Sequence, residues 1–180
     1  MRVKTLLLLL AALSMLAFGQ DQAKKKPTTL KGVLLEQLRT THNEKDWYVP
    51  ANIAVQGLTA EQANYKDGSG NHSVGQLAYH IVYWDKESLI KFKGGTPPKF
   101  SGNNDETFDN FDAKQWDSVV KQLDEEMTEW EKAVEAADDA KVAEWASVIA
   151  HIGAHRAYHV GQIIYLRKQK GWWNPENGVK

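Results

Sequence analysis

Three of the six histidines stand four residues apart in one segment, as His151, His155 and His159. In an α-helix four residues advance about 400°, a net 40°, so His155 and His159 lie one turn apart on nearly the same face. Two imidazoles so placed can reach one metal ion, and HxxxH is a recognised way to do it. Arg156 and Ala157 follow His155, so the glutamate of HExxH is missing and a metalloprotease is disfavoured. The chain has no cysteine, which removes a thiol nucleophile, a c-type haem site and thiolate metal ligands. Any metal must be held by His, Asp or Glu.

The element that positions this pair is a helix expected over 142–169, ending before Gly171. On a helical wheel Val148, Ile152, Ile163 and Leu166 fall on one side of it, and His155 and His159 stand within that stripe. His151 falls at the stripe's edge, so it is a doubtful third ligand. A second helix is expected over 74–92, opened by Ser73 and Gln76 in the form of a capping box. Its inward stripe is Val74, Leu77, Ile81, Trp84 and Ser88 with Leu89 alongside, and His80 falls inside it. Three histidines on inward faces of two helices are either separate core residues with their own partners or one metal site. Unpaired buried imidazoles are costly, and helix bundles build metal sites from facing helices, which favours the site. Three neutral imidazoles suit Zn²⁺ with a fourth position open; nickel, iron and copper are also compatible.

The remaining pattern is helical too. A first helix is expected over 29–57, with a kink or restart at Pro50; its His42 is read as a boundary or surface residue. Residues 94–110, rich in Gly, Pro and Asn, form a long polar connection of the kind that often lies over a site. A further helix over 112–137, capped by Asp109 or Asp112, carries Trp116, Leu123, Met127, Trp130 and Val134 inward. Its acids Asp124, Glu125, Glu126, Glu129 and Glu131 read as a solvated face. With no strand pattern and no repeat, the expected fold is all-α, a four-helix bundle with a long connection between helices 2 and 3.

Ser73-Val74-Gly75-Gln76-Leu77-Ala78-Tyr79-His80, together with His151-x3-His155-x3-His159-Val160-Gly161-Gln162-Ile163 and the exit Gly171-Trp172, resembles the DinB-like (YfiT-like) four-helix bundle proteins. The resemblance runs from about residue 30 to 172. It implies a divalent metal held by one histidine of helix 2 and by the HxxxH pair before Gly-Gln, here His80, His155 and His159. Members often carry Arg where Val160 stands. The resemblance implies metal-dependent transfer to a small thiol, or metal-dependent hydrolysis.

Residues 1–19, a short basic start followed by an apolar run and Ala17-Phe18-Gly19, read as a secretory signal peptide. The apolar run is shorter than the ~20 residues that span a bilayer. Residues 20–28 read as a flexible leader, 29–173 as the bundle and 174–180 as a C-terminal tail. Of 22 Lys and Arg against 23 Asp and Glu, removal of Arg2 and Lys4 with the signal leaves 20 against 23, a formal charge of −3. That balance argues against a nucleic-acid binder. The expectation is an exported metal-binding protein, periplasmic or secreted, with no stable membrane anchor after cleavage. It would act as a hydrolase or transferase on an unidentified small molecule, as a monomer or homodimer. A non-catalytic ligand binder and a bundle stapled by a structural metal are the alternatives; a fourth protein ligand such as His151 or His42 would favour the last.

Overall fold

The computed structural model describes residues 26–179. The expected signal peptide and most of the leader lie outside them, as does Lys180. Among the described residues there is no strand, and no helix is long and apolar enough to cross a membrane. Seven α-helices follow in order: α1 (Leu30–His42), α2 (Ala51–Val55), α3 (Ala60–Asn64), α4 (Val74–Phe92), α5 (Glu106–Asp109), α6 (Trp116–Ala136) and α7 (Asp139–Gln169). The four long ones form the frame. α1 and α4 each pack against both α6 and α7.

α4 starts and stops where its sequence signals place it. Ser73 Oγ accepts from the Gln76 amide, and Gln76 Oε1 accepts from the Ser73 amide. Such reciprocal bonding satisfies two of the donors that a helix start leaves open. Gly75, in the first turn, lies under the ring of Phe111; a Cβ there would stand 2.2 Å from Phe111 Cζ. α7 begins earlier than expected, because Asp138 caps it by accepting from the Lys141 amide. At 31 residues α7 is about 46 Å long. Gly153 lets α1 come close, since a Cβ there would meet the Gln37 side chain at 2.7 Å.

The first expected helix is not continuous. α1 ends at His42, and α2 begins only after Pro50. Proline lacks an amide hydrogen and disfavours helical backbone in the residue before it, here Val49. At the end of α1 the Thr41 hydroxyl bonds back to the Gln37 and Leu38 carbonyls, and the Asn43 and Glu44 amides both turn to the Arg39 carbonyl. The break lets α2 turn its own face onto α6 and α7.

The core falls into two clusters along the bundle. One centres on Leu77, Ile81, Leu123, Met127, Val160 and Ile163, the other on Leu38, Phe92, Trp130, Val134 and Ile149. Val160, although off the centre of the wheel, is buried. The Trp116 and Trp130 indoles are buried and donate to the Leu58 and Asp85 carbonyls, both at 2.9 Å. Trp84 is only half-buried and Val148 is 39% exposed, so neither belongs to the core as their spacing suggested. Both line a groove that α4 and α7 leave open between them.

His42 is also corrected. It is 1% exposed, with Nδ1 2.6 Å from Glu131 Oε1 and Nε2 2.9 Å from Asp124 Oδ1. Two acids of the α6 face expected to be solvated therefore tie α6 to α1. Hydrogen bonds from His42 and Asn52 hold the Asp124 carboxyl below its ordinary range.

Candidate metal centre

His80 comes from the second turn of α4, and His155 and His159 from the middle of α7. The structure brings the three together as the wheel predicted. His155 Nε2 lies 3.0 Å from His80 Nε2 and 3.0 Å from His159 Nε2, and the three ligand atoms all lie within 4.8 Å of one another. His80 and His159 are buried, and His155 is half-buried.

The other ring nitrogens decide what these atoms can do. His80 Nδ1 donates to Thr107 Oγ1 at 2.6 Å, and Thr107 Oγ1 donates on to the Asn104 carbonyl at 2.6 Å. His159 Nδ1 donates to Gln162 Oε1 at 2.7 Å, while the Gln162 amide nitrogen turns to the Tyr158 hydroxyl. Carrying their protons on Nδ1, His80 and His159 aim Nε2 lone pairs at His155 Nε2. A single hydrogen on His155 Nε2 cannot point squarely at both, so at least one approach sets lone pair towards lone pair. A cation among the three Nε2 atoms removes that conflict, and partners on the outer nitrogen are how ligating histidines are usually oriented.

The electrostatics agree. Burial, then the neighbouring His159, His155 and His72, push His80 down to about 3. Burial, then His159 and Arg156, push His155 down to about 4. Burial also lowers His159, with Gln162 opposing it. All three are neutral imidazoles at pH 7, the form that binds a metal.

Several neighbours carried no sequence signal. α5 lies inside the connection read as a loop; its four residues are too few for a helical period to show. Yet it supplies Thr107 to His80, and Phe108, whose ring stacks on His80 at 3.8 Å. The opposite contact of Phe108 is His72, also stacked at 3.8 Å. Gln76, after capping α4, donates to Asp109 and so ties α5 down. Arg156 Nε pairs with Asp85 Oδ2 at 2.8 Å in the buried interior, and the inward position of Arg156, though not its partner, was legible in principle. Arg156 stands about 20° from Ile163 on the wheel, a cation within the apolar stripe. Burial pushes the Asp85 carboxyl up to about 6 against the pull of Arg156.

His151 stays out of the cluster. It is exposed, and its Nδ1 donates to the Ser147 carbonyl one turn back at 2.7 Å. His42 belongs to the α1–α6 link described above. Neither is a fourth ligand.

An all-α chain with three neutral imidazoles gathered at one point defines a helical protein whose site could hold a divalent metal. The family model of the DinB superfamily matches residues 51–163, which include all three histidines, and the chain belongs to that superfamily. Comparison with curated proteins and with solved structures returned no match.

Proposed function

We propose that this is an exported metal-dependent protein that acts on a small molecule as a hydrolase or transferase, through a divalent ion held by His80, His155 and His159. The observation that carries it is the convergence of three Nε2 atoms, two of them with Nδ1 already committed as a donor. A neutral all-imidazole set with no carboxylate favours zinc, with nickel or iron the next candidates. Such an ion would supply a Lewis acid with a coordination position open to a ligand.

That His151 and His42 point elsewhere supports an open position over a closed structural site. A groove of about 720 Å³ begins at His80 and His155, within the size range of small-molecule sites. His151 lines the same groove with its Nδ1 bonded to the Ser147 carbonyl one turn back. Export rests on residues 1–19, and the acidic balance of the mature chain argues against nucleic acid as a partner.

Metal analysis of the purified protein tests the reading first, with about one divalent ion per chain expected. His159→Ala should lose it; a variant that kept full stoichiometry would overturn the assignment. A screen of thiol transfer and of small-ester and amide hydrolysis follows. Full metal occupancy with no turnover would leave the non-catalytic ligand binder as the better description. Amino-terminal analysis of exported protein, expected to begin near Gln20, checks the signal.

A further inference from the structure

The groove beside the three histidines has a consistent chemistry. Its walls are Trp84 on α4 and Val148, Ile152 and Tyr158 on α7. Ser88, Asn104 and His151 add polar groups, and among the described residues no Asp, Glu, Lys or Arg lines it. The aromatic wall is rigid: Trp84 meets Phe100 edge-on at 5.2 Å and Tyr83 edge-on at 5.2 Å. Apolar surface nonetheless stays open there, with Val148 39% and Tyr158 63% exposed.

Sites that take carboxylates or phosphates present Arg or Lys to them, because a charge removed from water needs a partner. This groove has none to give. An apolar surface left open next to polar groups is instead the usual form of a site for a ligand with an apolar body. Flat rings gain most against a fixed indole, by stacking or edge-on contact.

We propose that the groove takes a small molecule with an uncharged, apolar and preferably aromatic body, laid along Trp84 and Ile152 with its reacting group at the three-histidine site. This rests on the reading of an open metal position, and it names the substrate class of that site. Ligands whose bodies carry carboxylate or phosphate groups are disfavoured.

Hydroxamates separate the two ideas, because a shared metal-binding group can carry different bodies. The protein would be loaded with Co²⁺, and acetohydroxamate, benzohydroxamate and 4-carboxybenzohydroxamate titrated by calorimetry and by the cobalt absorption bands. All three should perturb the cobalt spectrum. Benzohydroxamate should bind roughly ten-fold tighter than acetohydroxamate, and the added carboxylate should remove most of that gain. Trp84→Ala should erase the advantage of the ring, read as the ratio of the benzohydroxamate to the acetohydroxamate affinity in the same variant. Val148→Lys, at an exposed position that tolerates change, should favour the carboxylated probe. If the cobalt bands do not respond to any hydroxamate, the open position is wrong and the proposal falls with it. If they respond but the three probes bind alike in all variants, or the carboxylated one binds tightest to the unsubstituted protein, the groove assignment alone is overturned.

Discussion

At the scale of single residues, the three-histidine cluster depends on groups that lie outside it. Thr107 and Gln162 hold His80 and His159 in the tautomer that frees Nε2. Removing such outer partners typically costs about 10–100-fold in metal affinity. Thr107→Val and Gln162→Leu are therefore expected to weaken zinc binding by about that range in a chelator competition, with helicity by circular dichroism unchanged. His151→Ala should retain the metal in the same assay, since that ring is turned to Ser147. The pH dependence has a definite sign. His80 and His155 are depressed from 6.5 to about 3 and about 4 in the folded chain. The unfolded chain therefore takes up protons first as pH falls. Their contribution to stability is complete above about pH 6.5 and is lost progressively between about 6.5 and 3. Denaturant midpoints of metal-free protein should fall across that window, and His80→Phe should flatten the slope.

At the scale of elements, polar cross-links set how the helices sit on one another. Arg156, fully buried next to His155 in the chain, is paired with Asp85 across α7 and α4. Breaking a buried pair by removing one partner leaves an uncompensated charge and costs about 3–5 kcal/mol. Asp85→Ala should lose stability on that order in urea, whereas replacement of both partners by apolar residues should recover much of it. Gly75 is a second control point. Alanine there collides with the Phe111 ring, and overpacking typically costs about 1–3 kcal/mol. The collision would also disturb the end of the connection that carries α5, so Gly75→Ala should weaken metal binding as well as stability. The break between α1 and α2 belongs to this scale. A continuous helix through Pro50 would have left the α2 face without a partner on α6 and α7.

At the scale of the whole molecule, a metal joining α4 to α7 would take the place of the disulfides that this cysteine-free chain cannot form. A ligand that binds only the folded state stabilises it by about 2.7 kcal/mol at a hundred times its dissociation constant. For a chain of this size that is a rise of about 5–10 °C in Tm. Zinc should raise the midpoint of metal-free protein by about that much, a chelator should reverse it, and His159→Ala should show neither effect. Helical class, the limits of α4 and the inward faces of α4 and α7, with His80 on one and His155 and His159 on the other, were all present in the sequence. Each is a periodic or capping signal that repeats within one element, so local geometry is enough to read it. Tertiary structure alone decided the rest. The pairing of His42 with Glu131 and Asp124, and of Arg156 with Asp85, joins residues far apart in the chain, and spacing along one helix does not encode which partner lies opposite. Trp84 and Val148 share the periodicity of core residues and became groove walls because no further helix among the described residues covers them. α5 forms because Phe108 packs on His80 and Thr107 bonds to it. A four-residue helix has too little hydrogen bonding of its own to announce itself before that packing exists.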